Sequence, residues 1–122
     1  TLRSETEAVL ASRRNLLLEI EVEGAMNIKR QYPEAVLIML LPPSYRVLEA
    51  RLRGRATETE EVIRRRMARA REELEFLPRY DYVVYNEENG ADRAAEEIRA
   101  IVTAEKHATR RIPDAKERFF RS

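Results

Sequence analysis

The chain has 122 residues, no cysteine and a single histidine, His107, and its 37% of charged residues nearly cancel to a net charge of +1. That length accommodates one domain at most, the missing thiols rule out a disulfide framework or a thiolate metal site, and one histidine cannot build a histidine metal cluster. Balanced signs argue against a broad nucleic-acid surface while leaving room for a narrow anion site, and the longest apolar run, Ala35 to Pro43, falls well short of the roughly 20 residues that cross a bilayer. No basic-then-apolar leader opens the sequence, so the expected setting is the cytoplasm, with neither membrane nor nucleic acid as a partner.

In chain order, Ser4 and Glu7 have capping-box spacing and Val9 and Leu10 give a short first helix an apolar side. Asn15 to Val22 begins as a continuous apolar run and ends in alternation, the pattern of a buried parallel strand whose carboxyl end emerges at a site. A helix is expected from Gly24 to about Tyr32, a second strand from Ala35 to Leu41, and a helix capped by Ser44 and running to about Arg53. Gly54 marks a break, and Thr57 with Glu60 has capping-box spacing for a long helix whose inner stripe is Ile63, Met67, Ala70, Leu74 and Leu77. Pro78 ends it; Tyr80 to Asn86 is a third strand, Gly90 a turn, and Ala94, Ile98, Ile101 and Val102 mark the apolar face of a last helix to about Thr109. Residues 110–122 read as a tail or a loosely docked extension. Met26, Met39 and Met67 fit apolar faces as core residues, and His107 fits the surface.

Eight arginines lie between positions 51 and 71, in Arg51-Leu-Arg-Gly-Arg-Ala-Thr57 and in the helix carrying Arg64, Arg65, Arg66, Arg69 and Arg71. A planar fork of donors matches phosphate oxygens two at a time, so such a focus beside a turn fits a phosphoryl clamp. It equally fits a solvated helix face laced with Glu–Arg pairs.

Alternating strands and helices imply an α/β fold, a parallel sheet with helices on both faces and a site outside the carboxyl ends of the strands. Glu19, Glu21 and Asn86 all fall at that edge. Such sheets usually hold nucleotide phosphates in a loop of the form G-x-x-x-x-G-K-[ST]; here Gly24, Gly54 and Gly90 are isolated and none precedes a Lys-Ser or Lys-Thr pair. Thr1 leads almost at once into a helix that needs a preceding partner, so an amino-terminal portion is expected before it.

Taken in order, Leu18-Glu-Ile-Glu-Val-Glu-Gly-Ala25, Tyr32-Pro-Glu-Ala35, Leu41-Pro-Pro-Ser44, Arg51-Leu-Arg-Gly-Arg-Ala-Thr57, Glu60-Glu-Val-Ile63, Arg66 and Tyr80-Asp-Tyr-Val-Val-Tyr-Asn86 resemble the guanylate kinases, P-loop nucleoside monophosphate kinases that pass a phosphoryl group from ATP to GMP. The resemblance implies the carboxyl-terminal two thirds or so of the family domain, at residues 1–109 with a lid over about 51–77 and a tail at 110–122, lacking the P-loop segment. It further implies ATP with Mg²⁺ as co-substrate, GMP as acceptor and no tightly bound cofactor, and it leaves a homo-oligomer open.

Carried over by position, Thr1 matches a hydroxyl residue touching the guanine, and Glu19 and Glu21 match paired acids beside it. Arg51, Arg55 and Arg66 match the lid and lid-flanking arginines that embrace the phosphates, and Asn86 the edge of the adenine pocket. Glu23 stands where the family usually has Gln, and Ala56 where Gly is common in the lid hinge. From the residues alone, Glu19 and Glu21 are also readable as carboxylates bonded to a helix amino terminus, and Asn86 as a turn residue. Two other functions stay open beside the kinase: a catalytically silent guanylate kinase-like domain that binds a protein, and a kinase of this fold acting on another phosphorylated acceptor.

Overall fold

A computed structural model of the chain describes residues 21–55, 58–87 and 89–121. The chain divides into two compact units, residues 1–35 and 36–122. The expected first helix and nearly all of the expected first strand lie outside the described residues.

In the first unit, α1 spans Val22–Gln31. It starts two residues before Gly24, so Val22, expected at the end of a strand, opens the helix instead. Glu21 is the extended residue before it (φ −74°, ψ 166°), and the Ala25 amide closes the first turn on the Glu21 carbonyl at 2.9 Å. Glu23 in the first turn and Lys29 and Arg30 in the last complement the helix dipole. Lys29 Nζ also donates to the Ala35 carbonyl at 2.5 Å, holding the chain that leaves the helix.

The second unit runs β1 (Ile38–Leu41), α2 (Tyr45–Gly54), α3 (Glu60–Leu74), a 3₁₀ turn at Leu77–Arg79, β2 (Tyr82–Tyr85), α4 (Ala91–Lys106), a second 3₁₀ turn at Thr109–Arg111 and α5 (Ala115–Arg121). The two strands pair in parallel, with Ile38 opposite Tyr82 and Leu41 opposite Tyr85. Asp81 fixes this register from the entry side: its carboxylate accepts from the Leu37 amide at 2.8 Å while its own amide donates to the Leu37 carbonyl at 2.9 Å. At the exit, the Asn86 amide donates to the Leu41 carbonyl at 2.6 Å. Both strands are shorter than their apolar runs, because Val36, Leu37, Tyr80 and Asp81 approach the ladder without joining it.

Between the strands, α2 and α3 close on each other through Leu52, Ile63 and Met67, with Leu48 packed alongside. Fully burying an aliphatic side chain of this size contributes roughly 1.5–3 kcal/mol, so this cluster dominates the α2–α3 contact. The Tyr45 hydroxyl adds a bond to the Met67 carbonyl at 2.9 Å, and the Arg71 guanidinium stacks 5.0 Å above the Tyr45 ring. The expected stripe holds over its first half only: Ile63 and Met67 are buried, whereas Leu74 is exposed, since α3 ends there, ahead of Pro78, which sits in the 3₁₀ turn.

The start of α3 also differs from the capping-box expectation. Thr59 is the cap, its Oγ1 accepting from the Val62 amide at 3.3 Å, and Thr57 lies outside the described residues. Ser44 caps α2 as expected, accepting from the Val47 amide at 3.1 Å. Asn89 turns the chain into α4 with a positive φ of 58°, and a Cβ on Gly90 would meet the Glu87 carbonyl oxygen at 3.0 Å, so the close return of the backbone selects glycine. Met39 and Met67 are buried and Met26 is half-buried. His107 is exposed at the end of α4.

Candidate phosphate clamp and strand-end site

The carboxyl end of the two-stranded sheet and the last turn of α2 meet at one hydrogen bond. Arg51, half-buried in that last turn, donates from Nη2 to the carbonyl oxygen of Asn86, the first residue after β2, at 3.1 Å. Two of the residues singled out from sequence are thereby neighbours. The acceptor is a neutral carbonyl, so Arg51 keeps its full charge and its other donors.

Arg55 follows Gly54 directly, exposed and with αR backbone (φ −73°, ψ −16°). Among the described residues its guanidinium has no hydrogen-bond or ion-pair partner. Gly54 itself is the last residue of α2, and a Cβ there would touch nothing within 4 Å, so its place is not a matter of local crowding. Residues 56 and 57, including the Ala56 departure, lie outside the described residues.

Arg66 projects from α3 with its side chain 49% exposed, and its Nη2 lies 3.1 Å from Oε1 of Glu58, which is only 15% exposed. Glu58 is a contact that sequence reading missed. It stands eight residues from Arg66 and just before the helix, outside the i,i+4 spacing by which helical pairs are recognised.

The remaining arginines are divided among several kinds of partner. Arg53 is consumed locally. It donates from Nη1 and Nη2 to the two oxygens of Glu60 (2.5 and 3.0 Å) and from Nε to Glu49 (3.0 Å). This double bond to Arg53 holds the Glu60 carboxyl below its ordinary value, with the charge of Arg64 adding to it, and raises Arg53 further above its already high one. Glu60 was expected to complete a capping box. With the cap on Thr59, its carboxylate is turned to Arg53 across the α2–α3 connection instead. Arg64 lies 3.5 Å from Glu60, Arg69 pairs with Glu73 one turn on, and Arg71 covers Tyr45. Of the clamp candidates, Arg51 donates to a neutral carbonyl, Arg55 has no partner among the described residues, and Arg66 pairs with Glu58 while half of its side chain stays exposed.

Glu21 stands in the first unit, exposed, at the cap position of α1, and its side chain makes no capping bond there. The simple alternative, a carboxylate bonded to the amino terminus of its own helix, does not hold for Glu21. Thr1 and Glu19 lie outside the described residues.

A separate polar cluster ties the carboxyl-terminal residues to β2. The Tyr82 hydroxyl donates to Glu105 Oε2 at 2.9 Å, and Arg110 and Arg111 pair with Oε1 of the same carboxylate. The Tyr82 bond, with help from the two arginines, keeps Glu105 below the usual carboxylate range. The same bond raises the Tyr82 phenol, since only its protonated form can donate. Burial raises Tyr80. Among the described residues no group of three His, Asp or Glu side chains is placed to hold a metal ion, and no helix is long and apolar enough to cross a membrane.

The family model described as guanylate kinase matches residues 1–105. Relatives include the guanylate kinase of Halalkalibacterium halodurans, 51% identical over 94 residues (77% of this chain, 45% of that protein). The guanylate kinase of Bacillus cereus is 46% identical over 99 residues (81% and 47%), and that of Syntrophotalea carbinolica 46% identical over 106 residues (87% and 50%). The chain therefore spans about half the length of the curated relatives it matches.

Proposed function

Since the chain belongs to the guanylate kinase family, we propose that the complete protein transfers the γ-phosphoryl group of ATP to GMP, giving GDP and ADP. The observation that carries this reading is the match over residues 1–105 at up to 51% identity to proteins of that name. Arg51 and Arg55 support it, because a phosphate clamp needs guanidinium groups that internal carboxylates have not already taken, and Arg51 donates to a neutral carbonyl instead.

Phosphoryl transfer asks little covalent chemistry of the protein, which aligns the attacking and leaving oxygens and balances charge on the group in flight. The GMP phosphate is already an anionic nucleophile, so no strong general base is required, and exposed His107 is given no part. Arg51, anchored on the Asn86 carbonyl, and Arg55, at the edge of the lid, meet the phosphates of ATP. Arg66 bridges donor and acceptor phosphates from α3. Glu19 and Glu21 accept from the N–H groups of the guanine edge, Thr1 adds a hydroxyl there, and Asn86 borders the adenine. Mg²⁺ arrives with ATP, carried mainly on phosphate oxygens. The reaction is assigned to the cytoplasm, and the domain to residues 1–109 with its lid over about 51–77 and a tail at 110–122.

A coupled assay of ADP formation from ATP, Mg²⁺ and GMP tests the reading. The complete protein is expected to turn over, and the 122-residue chain alone to show no appreciable activity, since its sequence contains no G-x-x-x-x-G-K-[ST] loop to surround the ATP phosphates. Turnover by the short chain would refute that division of labour, and an inactive complete protein would favour a silent protein-binding domain.

A further inference from the structure

Glu58 is an acid with no evident task in holding the fold. It precedes the Thr59 cap, and α3 already has that cap and two first-turn acids, Glu60 and Glu61, to complement its dipole. Yet Glu58 is largely buried, with Oε1 on Arg66 and Oε2 buried and, among the described residues, accepting no hydrogen bond. A carboxylate oxygen withdrawn from water without a donor is a standing cost. The ion pair with Arg66 is the gain set against that cost. Arg66 has a guanidinium with five donor hydrogens, of which the ion pair with Glu58 involves Nη2 alone, while half of the side chain faces solvent.

Resting on the reading of Arg66 as a phosphate clamp, we propose that Glu58 is a positioning residue. It holds Arg66 by Nη2, so that the remaining donors stand oriented before phosphate arrives. A long side chain on an exposed helix face otherwise samples many rotamers, and a fork aligned in advance loses less freedom when it binds. The carboxylate touches no substrate and acts only through Arg66. Because its charge opposes that of the phosphates, its benefit depends on Arg66 standing between them.

A double-mutant cycle in the complete protein tests this, using Glu58→Ala, Arg66→Ala and the pair, with thermal melts confirming that each variant folds. Glu58→Ala is expected to lower kcat about tenfold with the KM for GMP changed by less than about threefold, and to add no further loss once Arg66 is alanine. Glu58→Gln, which keeps the shape and removes the charge, should lower kcat likewise and covers the case in which the alanine variant fails to fold. The Arg66 Nε–Hε resonance should be ordered in the parent and motionally averaged in Glu58→Ala. Equal losses in both backgrounds, or an unchanged Arg66 resonance, would overturn the assignment. If Arg66→Ala slows turnover and Glu58→Ala does not, the clamp stands and the positioning role falls; if Arg66→Ala leaves kcat intact, the clamp reading fails and takes this role with it.

Discussion

Arg55 and Arg53 sit two positions apart and do opposite things. Arg53 is bound to two carboxylates, whereas Arg55 has no such partner among the described residues. If Arg55 meets a phosphate through a planar pair of donors, Arg55→Lys preserves the charge and loses the fork. At saturating ATP and Mg²⁺ the complete protein should then lose kcat by much more than its KM for GMP rises, with little change in melting temperature. An unchanged kcat would remove Arg55 from the clamp. Base choice rests on different chemistry: guanine presents N–H donors that a carboxylate accepts, while adenine offers a ring nitrogen with a lone pair at the corresponding position. A site built around such bonds is left with unpaired polar groups when one partner goes, so Glu21→Ala should lower kcat/KM for GMP by roughly tenfold to a hundredfold and leave ATP affinity nearly constant. Steady-state kinetics with each substrate varied in turn separates the two effects.

At the scale of elements, the α2–α3 connection is organised by polar groups at its two ends as much as by the apolar contact beneath it. The Leu52, Ile63 and Met67 cluster joins the helices, the Arg53–Glu60 fork spans the break between them, and Thr59 starts α3. Thr59→Ala deletes only the cap and should cost about 1 kcal/mol in urea-induced unfolding. Thr57→Ala should cost far less in the same measurement, since the cap position is held by Thr59. A reversed order of the two variants would put the cap back at Thr57. Thr-Glu-Thr-Glu offers two threonines, each followed three residues later by a partner that suits a helix start. Propensity does not distinguish them; packing of Ile63 and Met67 against Leu52 sets the helix phase and so chooses the cap.

For the molecule as a whole, the Tyr82–Glu105–Arg110–Arg111 cluster links β2 to the residues beyond α4, and it makes stability depend on pH at both ends. Glu105 is lowered in the fold, so its contribution is complete above the ordinary carboxylate range and is lost as pH falls through the folded value. Tyr82 is raised, so its contribution is present below the usual phenol value near 10.0 and is lost as pH climbs through the folded one. Tyr82→Phe should therefore lower the melting temperature at neutral pH and flatten both the acid and the alkaline limbs of a melting-temperature profile. Because the cluster lies near the surface, added salt should reduce its arginine component. A profile with the parent's slopes would show that the cluster does not contribute to stability.

Much of the chain's character was readable from residue order alone. Apolar runs bounded by Pro42-Pro43 and by Pro78 located both described strands, Ser44 located the start of α2, and the ordered motifs from Leu18 to Asn86 pointed to the guanylate kinases, because local punctuation and side-chain period depend on neighbours a few residues away. The fate of individual arginines was not readable in this way. Arg51 reaches a carbonyl 35 residues on, Arg53 a carboxylate seven residues on across a helix break, and Arg66 one eight residues back. Those partners are set by how the helices and strands meet. Sequence concentrates the positive charge between positions 51 and 71, and tertiary structure decides which of those guanidinium groups meet internal carboxylates, which meets a carbonyl and which has no partner among the described residues.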